Sequence, residues 1–213
     1  MPRLRSAAEV AAFRERLCDA ATRLFVAHGA DGFTMRMLAA EVGCATMTSY
    51  RYFKDKDELL AAVRALAYDR FSQVLESAAE APGDSRAKSF AMGEAYVAFA
   101  MANREAYRLM FEMSSAESAQ FPDLVRATAR ANRNMTAYVR AMIDEGVLRG
   151  DPELIGRMFW AAIHGVVQLE MSGILPSGPE ADSLRREMMR ALFIGLNVAR
   201  SSSDASRPRI ESD

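Results

Sequence analysis

The side chains of this chain best suited to chemistry lie between Gly43 and Leu59, and the chemistry they suit is non-covalent recognition of a polyanion. Thr46, Met47, Thr48 and Arg51 fall on one short segment. Threonine hydroxyls, a flexible thioether and a guanidinium can address base edges as donors, acceptors and apolar contacts, with arginine able to bond two acceptors at once. Tyr50 and Tyr52 carry hydroxyls on rigid rings suited to phosphate oxygens. Lys54 and Lys56 flank Asp55, an expected N-cap with Glu58 three positions on, so an anion there meets two cations and helix N–H groups. Arg36 lies just upstream, and Arg3 and Arg5 can join the same positive cluster.

Reactive chemistry finds little support. The chain shows no nucleophile–base–acid set, no glycine-rich phosphate loop and no paired carboxylates in an apolar setting; Glu94 with His164 is too thin to build a reaction on. Cys18, Cys44, His28 and His164 are too scattered for metal-ligand spacing, and the cysteines suit small packed positions. No enzyme activity, metal or cofactor is expected.

The elements that position the recognition residues can be read locally. Thr34 is a candidate cap, Met37, Leu38 and Val42 give an apolar helical face, and Gly43 permits the positive φ of a tight turn. A second short helix over 45–51 follows, completing a helix-turn-helix whose second member can enter a major groove.

This segment resembles the DNA-binding domain of TetR-family transcriptional regulators. The likeness rests on the Gly43 turn, Thr48, the Tyr50-x-Tyr52-Phe53 run, Lys56 and Leu59, preceded by a long helix ending near Phe25 to Gly29 and by Gly32-Phe33-Thr34. Three positions depart from the family pattern. Ala45 stands where serine usually caps the recognition helix, Met47 where a small glycine is usual, and Ser49 where a packed leucine or similar is usual. Met47 therefore has two readings: it reaches thymine methyls, or it folds back to fill the space that Ser49 leaves.

With 213 residues, half of them hydrophobic and 26% charged, the chain can bury a substantial core. No apolar run reaches the ~18 residues of a membrane span and the N-terminus leads into no signal-type apolar core, which implies cytoplasmic residence. The net charge of −1 does not argue against nucleic acid, because binding needs local positive charge.

Periodicity is helical nearly throughout, predicting an all-α fold of about nine helices. The first starts at the capping box Ser6-x-x-Glu9 and stops at Gly29. Beyond the helix-turn-helix, helices are expected over 56–80, 84–102, 104–113, 122–145, 151–173 and 180–199. The expected organisation is a DNA-binding domain over 1–55, a helical regulatory and dimerisation domain over 56–200, and a disordered polar tail over 201–213.

The second half is rich in methionine, including Met110, Met113, Met135 and Met142. Unbranched thioethers repack at low cost, as a pocket for flat or greasy molecules requires, although each can equally be core filler. Phe99, Phe111, Tyr138 and Phe159 supply aromatic walls. Glu94, His164 and Gln168 are the candidate polar contacts to such a ligand. The run from Phe159 to Glu170 resembles the Trp-x-x-x-His-Gly signature of one class of TetR regulatory domains, through Trp160, His164 and Gly165, and Glu105 to Phe111 fits it too.

The last two helices show apolar residues around more of their circumference than one intramolecular face needs, among them Leu184, Met188, Leu192, Ile194, Leu196 and Val198. In the resembled family such helices form a homodimeric four-helix interface. That implies two reading heads on a palindromic operator with half-sites about one helical turn apart. The function implied is a ligand-responsive repressor, released from double-stranded DNA by a small, largely apolar effector. A helical carrier with a non-functional reading head is the alternative, motivated by Ala45, Met47 and Ser49.

Overall fold

The computed structural model describes residues 6–111 and 119–204. Arg3, Arg5, Met113 and the tail beyond 204 lie outside the described residues, and the expected helix over 104–113 is described only as far as its first part. Among the described residues the fold is all-α, with nine helices: α1 (Ala7–Gly32), α2 (Met35–Val42), α3 (Thr46–Tyr50), α4 (Lys56–Ala79), α5 (Ser85–Ala102), α6 (Arg104–Leu109), α7 (Pro122–Asp144), α8 (Pro152–Met171) and α9 (Pro179–Asp204).

Helix boundaries follow local chemistry. Ser6 Oγ accepts the Glu9 amide at 3.2 Å while a Glu9 carboxylate oxygen accepts the Ser6 amide at 2.7 Å, a reciprocal capping box that satisfies two otherwise orphan donors. The expected stop at Gly29 is a break within α1, with φ 67° and ψ 172°, after which one more turn runs to Gly32. Asp151 accepts the Glu153 amide at 3.0 Å and Pro152 opens α8, as the Asp-Pro-Glu run predicts. Helix α9 runs on to Asp204, past the expected end at 199 and into the first residues of the segment expected to be disordered.

Two compact units make up the chain. The first comprises residues 1–73 and 103–131, the second 74–102 and 132–213. The divide falls inside α4, between Gln73 and Val74, and inside α7, whereas the boundary expected from sequence falls at the start of α4.

The first unit has its core where α1, α2, α4 and α6 meet. Leu17, Phe25, Phe33, Leu38, Phe53, Leu59 and Leu109 are all buried there, with Phe25 and Phe33 stacked at 4.3 Å between ring centroids. Cys18 belongs to this core; burial pushes its thiol pKa up to about 12, which leaves it an inert packing residue. The carbonyl of Met110 accepts from Arg64 Nη2 at 2.7 Å and from the Tyr68 hydroxyl at 3.0 Å, all three residues being buried.

In the second unit α5 and α9 both pack against α8. Val139, Met142, Leu148, Ile155 and Phe159 form one buried cluster, with Leu192, Phe193 and Leu196 of α9 against it. Helices α7 and α8 approach closely at Gly156. A Cβ there would lie 2.9 Å from Thr136 Cγ2 and 3.2 Å from the Met135 carbonyl oxygen, so the contact requires glycine.

Candidate nucleic-acid interface and an apolar cavity

The reading head is assembled from α2, the turn at Gly43 and α3. Thr34 Oγ1 accepts the Met37 amide at 3.2 Å, starting α2 as expected. Gly43 ends it with φ 72° and ψ 41°. A Cβ added there would meet nothing within 4 Å, so what demands glycine is the left-handed backbone and not space. Ala45 occupies the N-cap of α3 and makes no side-chain cap bond. Such an end typically forgoes about 0.5–2 kcal/mol.

What holds α3 in place comes from its far side. Ser49 is fully buried, and its hydroxyl donates to the Thr46 carbonyl at 2.7 Å. Phe53, 1% exposed, anchors the chain just after α3, and the Arg14 guanidinium lies 4.4 Å from its ring centroid while Arg14 Nη1 donates to the Tyr52 carbonyl at 3.1 Å. The Tyr52 ring packs on Phe13 at 5.0 Å and is half-buried.

With that side fixed, Met47 is 73% exposed and Tyr50 45% exposed, and Arg36, Arg51 and Lys54 are exposed as well. Thr46, Thr48 and Lys56 are half-buried. Of the two readings for Met47 the structure therefore selects the outward one: it does not fold back over Ser49, whose hydroxyl is satisfied by its own backbone. Among the described residues Arg36, Arg51 and Lys56 form no ion pair, and Lys54 has only a 3.7 Å contact with the Asp55 carboxylate, itself half exposed. The cations stay available to an outside anion.

At the start of α4, Asp55 Oδ1 accepts the Glu58 amide at 2.8 Å, and Glu58 Oε2 accepts the amide of Lys54 at 2.7 Å. The reciprocal cap expected for Asp55 and Glu58 thus reaches one residue further back than a capping box, to Lys54.

The second unit holds a cavity of about 220 Å³ lined by Leu75, Glu76, Ala79, Ser85, Lys88, Met92, Asn134, Ala137, Tyr138 and Ala141. A smaller void of about 20 Å³ shares Leu75, Met92 and Tyr138 and adds Ser89, Gly93, Tyr96, Met135, Phe159, Ile163 and Met189.

Of the residues expected to contact a ligand, Tyr138 lines both spaces, and Met135 and Phe159 line the smaller. Met142 lies in the buried cluster around Phe159, and Phe99 is buried on α5. Glu94 is engaged by Arg185 at 3.1 Å, an arginine that also meets Asp182 at 2.9 Å. Met110 and Phe111 belong to the first unit, where Phe111 makes edge contacts with Tyr68 and Tyr107, so the expected set does not form one cluster.

His164 and Gln168 form a separate polar network. Trp160 Nε1 donates to the Tyr96 hydroxyl at 3.2 Å, that hydroxyl meets His164 Nδ1 at 3.3 Å, and His164 Nε2 meets Gln168 Nε2 at 3.4 Å. Burial lowers the His164 pKa, so the ring is neutral at pH 7, taking one of these bonds as donor and the other as acceptor. Sequence reasoning missed Lys88, Asn134 and Ser85 as cavity residues. The signal was Leu75 and Met92 on apolar helical faces, with Lys88 one turn before Met92.

Comparison with known proteins places this geometry in a family. Residues 17–63 match the model of bacterial regulatory proteins of the tetR family, and residues 89–192 match the tetracyclin repressor-like C-terminal domain. A relative at 26% identity over 187 residues is an HTH-type transcriptional regulator of Mycobacterium tuberculosis, the match covering 86% of this chain and 81% of that protein. The HTH-type transcriptional repressor DrrR1 of Streptomyces coeruleorubidus is 39% identical over 66 residues, covering 31% of this chain and 23% of that protein. Among solved structures, a Rhodococcus protein of unknown function is 26% identical, with a TM-score of 0.74 over 92% of this chain and 98% of that one. The TetR regulator PfmR of Thermus thermophilus shares the fold at 22% identity, with a TM-score of 0.63 over 83% of this chain and 97% of that one. No helix among the described residues is long and apolar enough to cross a membrane. The chain belongs to the tetR family of bacterial regulatory proteins: it is a helix-turn-helix, DNA-binding transcriptional regulator and not an enzyme.

Proposed function

We propose that this protein is a cytoplasmic, homodimeric repressor that reads a palindromic operator through α3 and leaves it when a small, largely apolar molecule occupies the second unit. The single observation that carries the reading is the division of α3 into two faces: Ser49 and the adjoining Phe53 are buried, while Met47, Tyr50 and Arg51 stand outward beside unpaired cations. Met47, Thr46, Thr48 and Arg51 contact base edges. Tyr50, Tyr52, Lys54, Lys56 and Arg36 hold phosphates and set register.

Dimerisation runs through α8 and α9. Supporting it, Trp160 and Leu169 of α8 and Leu184 and Ile194 of α9 remain 36–51% exposed after their helices have packed, and large apolar side chains left outside mark association surfaces. Leu192, Leu196 and Met188 are partly buried against the protomer's own apolar clusters; the side chain of Val198 lies outside the described ones. A two-fold pair presents its heads about one helical turn apart. The run through Trp160, His164 and Gly165 supports a regulatory half of the Trp-x-x-x-His-Gly class.

Gating follows from linkage. A ligand that binds one conformation of the dimer better than another shifts the population by its differential affinity, and α4, whose residues belong to both units, is the covalent route between them. The test is a gel-shift titration of the full-length chain against duplex from upstream of its own gene. Retarded, salt-sensitive, sequence-preferring complexes support the regulator. Ligand binding to the second unit with no preference for that duplex over a scrambled one supports the helical carrier.

A further inference from the structure

We propose that the cavity of the second unit binds a small amphipathic anion: an apolar body the size of one aromatic ring or a short acyl chain, with a single negative charge facing Lys88 and an acceptor atom on the Tyr138 hydroxyl. The inference rests on the effector reading above and names the chemical class of that effector.

Size comes first. An apolar cavity of about 150 Å³ accommodates benzene. The 220 Å³ here holds such a body with a few atoms to spare, and the 20 Å³ void behind the shared side chains of Leu75, Met92 and Tyr138 lets the flexible Met92 yield further. Leu75, Ala79, Met92, Ala137 and Ala141 make most of the wall apolar.

Polarity decides the rest. Three polar groups on the same wall are already committed: Asn134 Nδ2 donates to Glu76 at 2.9 Å, and the Ser85 hydroxyl donates to Glu145, outside the wall, at 2.5 Å. Two are not. Among the described residues the Lys88 ammonium meets no carboxylate, although Lys88 is half-buried, and the Tyr138 hydroxyl makes no hydrogen bond. Burial raises the Tyr138 pKa, so its hydroxyl remains a donor at neutral pH. A half-buried, unpaired cation and an unused donor on an apolar wall are complementary to an anion that carries its own hydrophobic body. The Glu76 carboxylate, held by Asn134, opposes this charge from the same wall, and Lys88 with the Tyr138 hydroxyl must outweigh it.

The experiment uses the full chain with its methionine methyls isotopically labelled, titrated with benzoate, with neutral benzamide and with cationic benzylamine. Expected is saturable binding of benzoate with a shift of the Met92 methyl, benzamide and benzylamine weaker by about tenfold or more, and loss of that preference in Lys88→Met. Tyr138→Phe weakens benzoate by a smaller factor. Benzamide or benzylamine binding as tightly as benzoate overturns the proposal, as does absence of benzoate binding. Should Lys88→Met fail to fold, the three-probe comparison on the unaltered chain still decides. Benzoate that binds preferentially but leaves operator affinity unchanged supports the anion site and contradicts the gating.

Discussion

The Ser49 hydroxyl donates to the Thr46 carbonyl at 2.7 Å on the buried side of α3, so the one polar group this side chain carries inward is satisfied within the helix itself. Its loss is a stability event and not a recognition event. Ser49→Ala is expected to cost about 0.5–1.5 kcal/mol, read as a lower urea midpoint at unchanged slope, with operator preference intact. Met47→Ala is the converse: a side chain 73% exposed changes stability by less than about 0.5 kcal/mol but alters base preference in a binding-site selection.

Ala45 begins α3 without a side-chain cap, and the position already has extended backbone, φ −68° and ψ 144°. Ala45→Ser needs no backbone change to accept an amide of the first turn. The substitution is expected to stabilise the protein by about 0.5–2 kcal/mol in chemical denaturation. An unchanged or lower midpoint would show that the cap geometry is not available.

How much of this was legible in the sequence varied with the range of the contacts involved. Ser6 with Glu9, Thr34 before Met37, Gly43 in its turn and Asp151-Pro152 were all readable, because caps and turns depend on residues a few positions apart. The split of α3 into buried and outward faces was only half readable, since Met47 had two destinations and the choice depends on Phe53 and Arg14 packing from outside the helix. The cavity was the least legible. Its walls come from α4, α5 and α7, and nothing local distinguishes Lys88 from any other helical lysine, or Glu94 bonded to Arg185 from a carboxylate awaiting a ligand.

Gly156 is a further case of a contact that periodicity could not reveal. Because a Cβ there would stand 2.9 Å from Thr136 Cγ2 and 3.2 Å from a backbone oxygen, Gly156→Ala must push α7 and α8 apart. A loss of about 1–3 kcal/mol is expected by thermal or urea unfolding, against the gain that glycine-to-alanine changes usually bring inside helices.

His164 introduces a pH dependence whose sign can be worked out. Burial lowers its folded-state pKa below the ordinary 6.5, so between the two values the unfolded chain binds the extra proton. Stability from this group is whole above pH 6.5, falls as pH drops through the window down to the lowered value, and then levels off. His164→Gln should flatten that part of the stability–pH curve; a curve unchanged by the substitution would place the dependence elsewhere.

The claim on which the rest depends is that α3 and its neighbouring cations read duplex DNA. Fluorescence anisotropy of a labelled duplex from upstream of the gene, against a scrambled duplex of equal length at several salt concentrations, tests it most directly. Expected are tighter binding to the upstream duplex and a log–log salt slope that becomes shallower by about one unit in Lys54→Ala. Equal affinity for both duplexes, with a slope indifferent to Lys54, would contradict it.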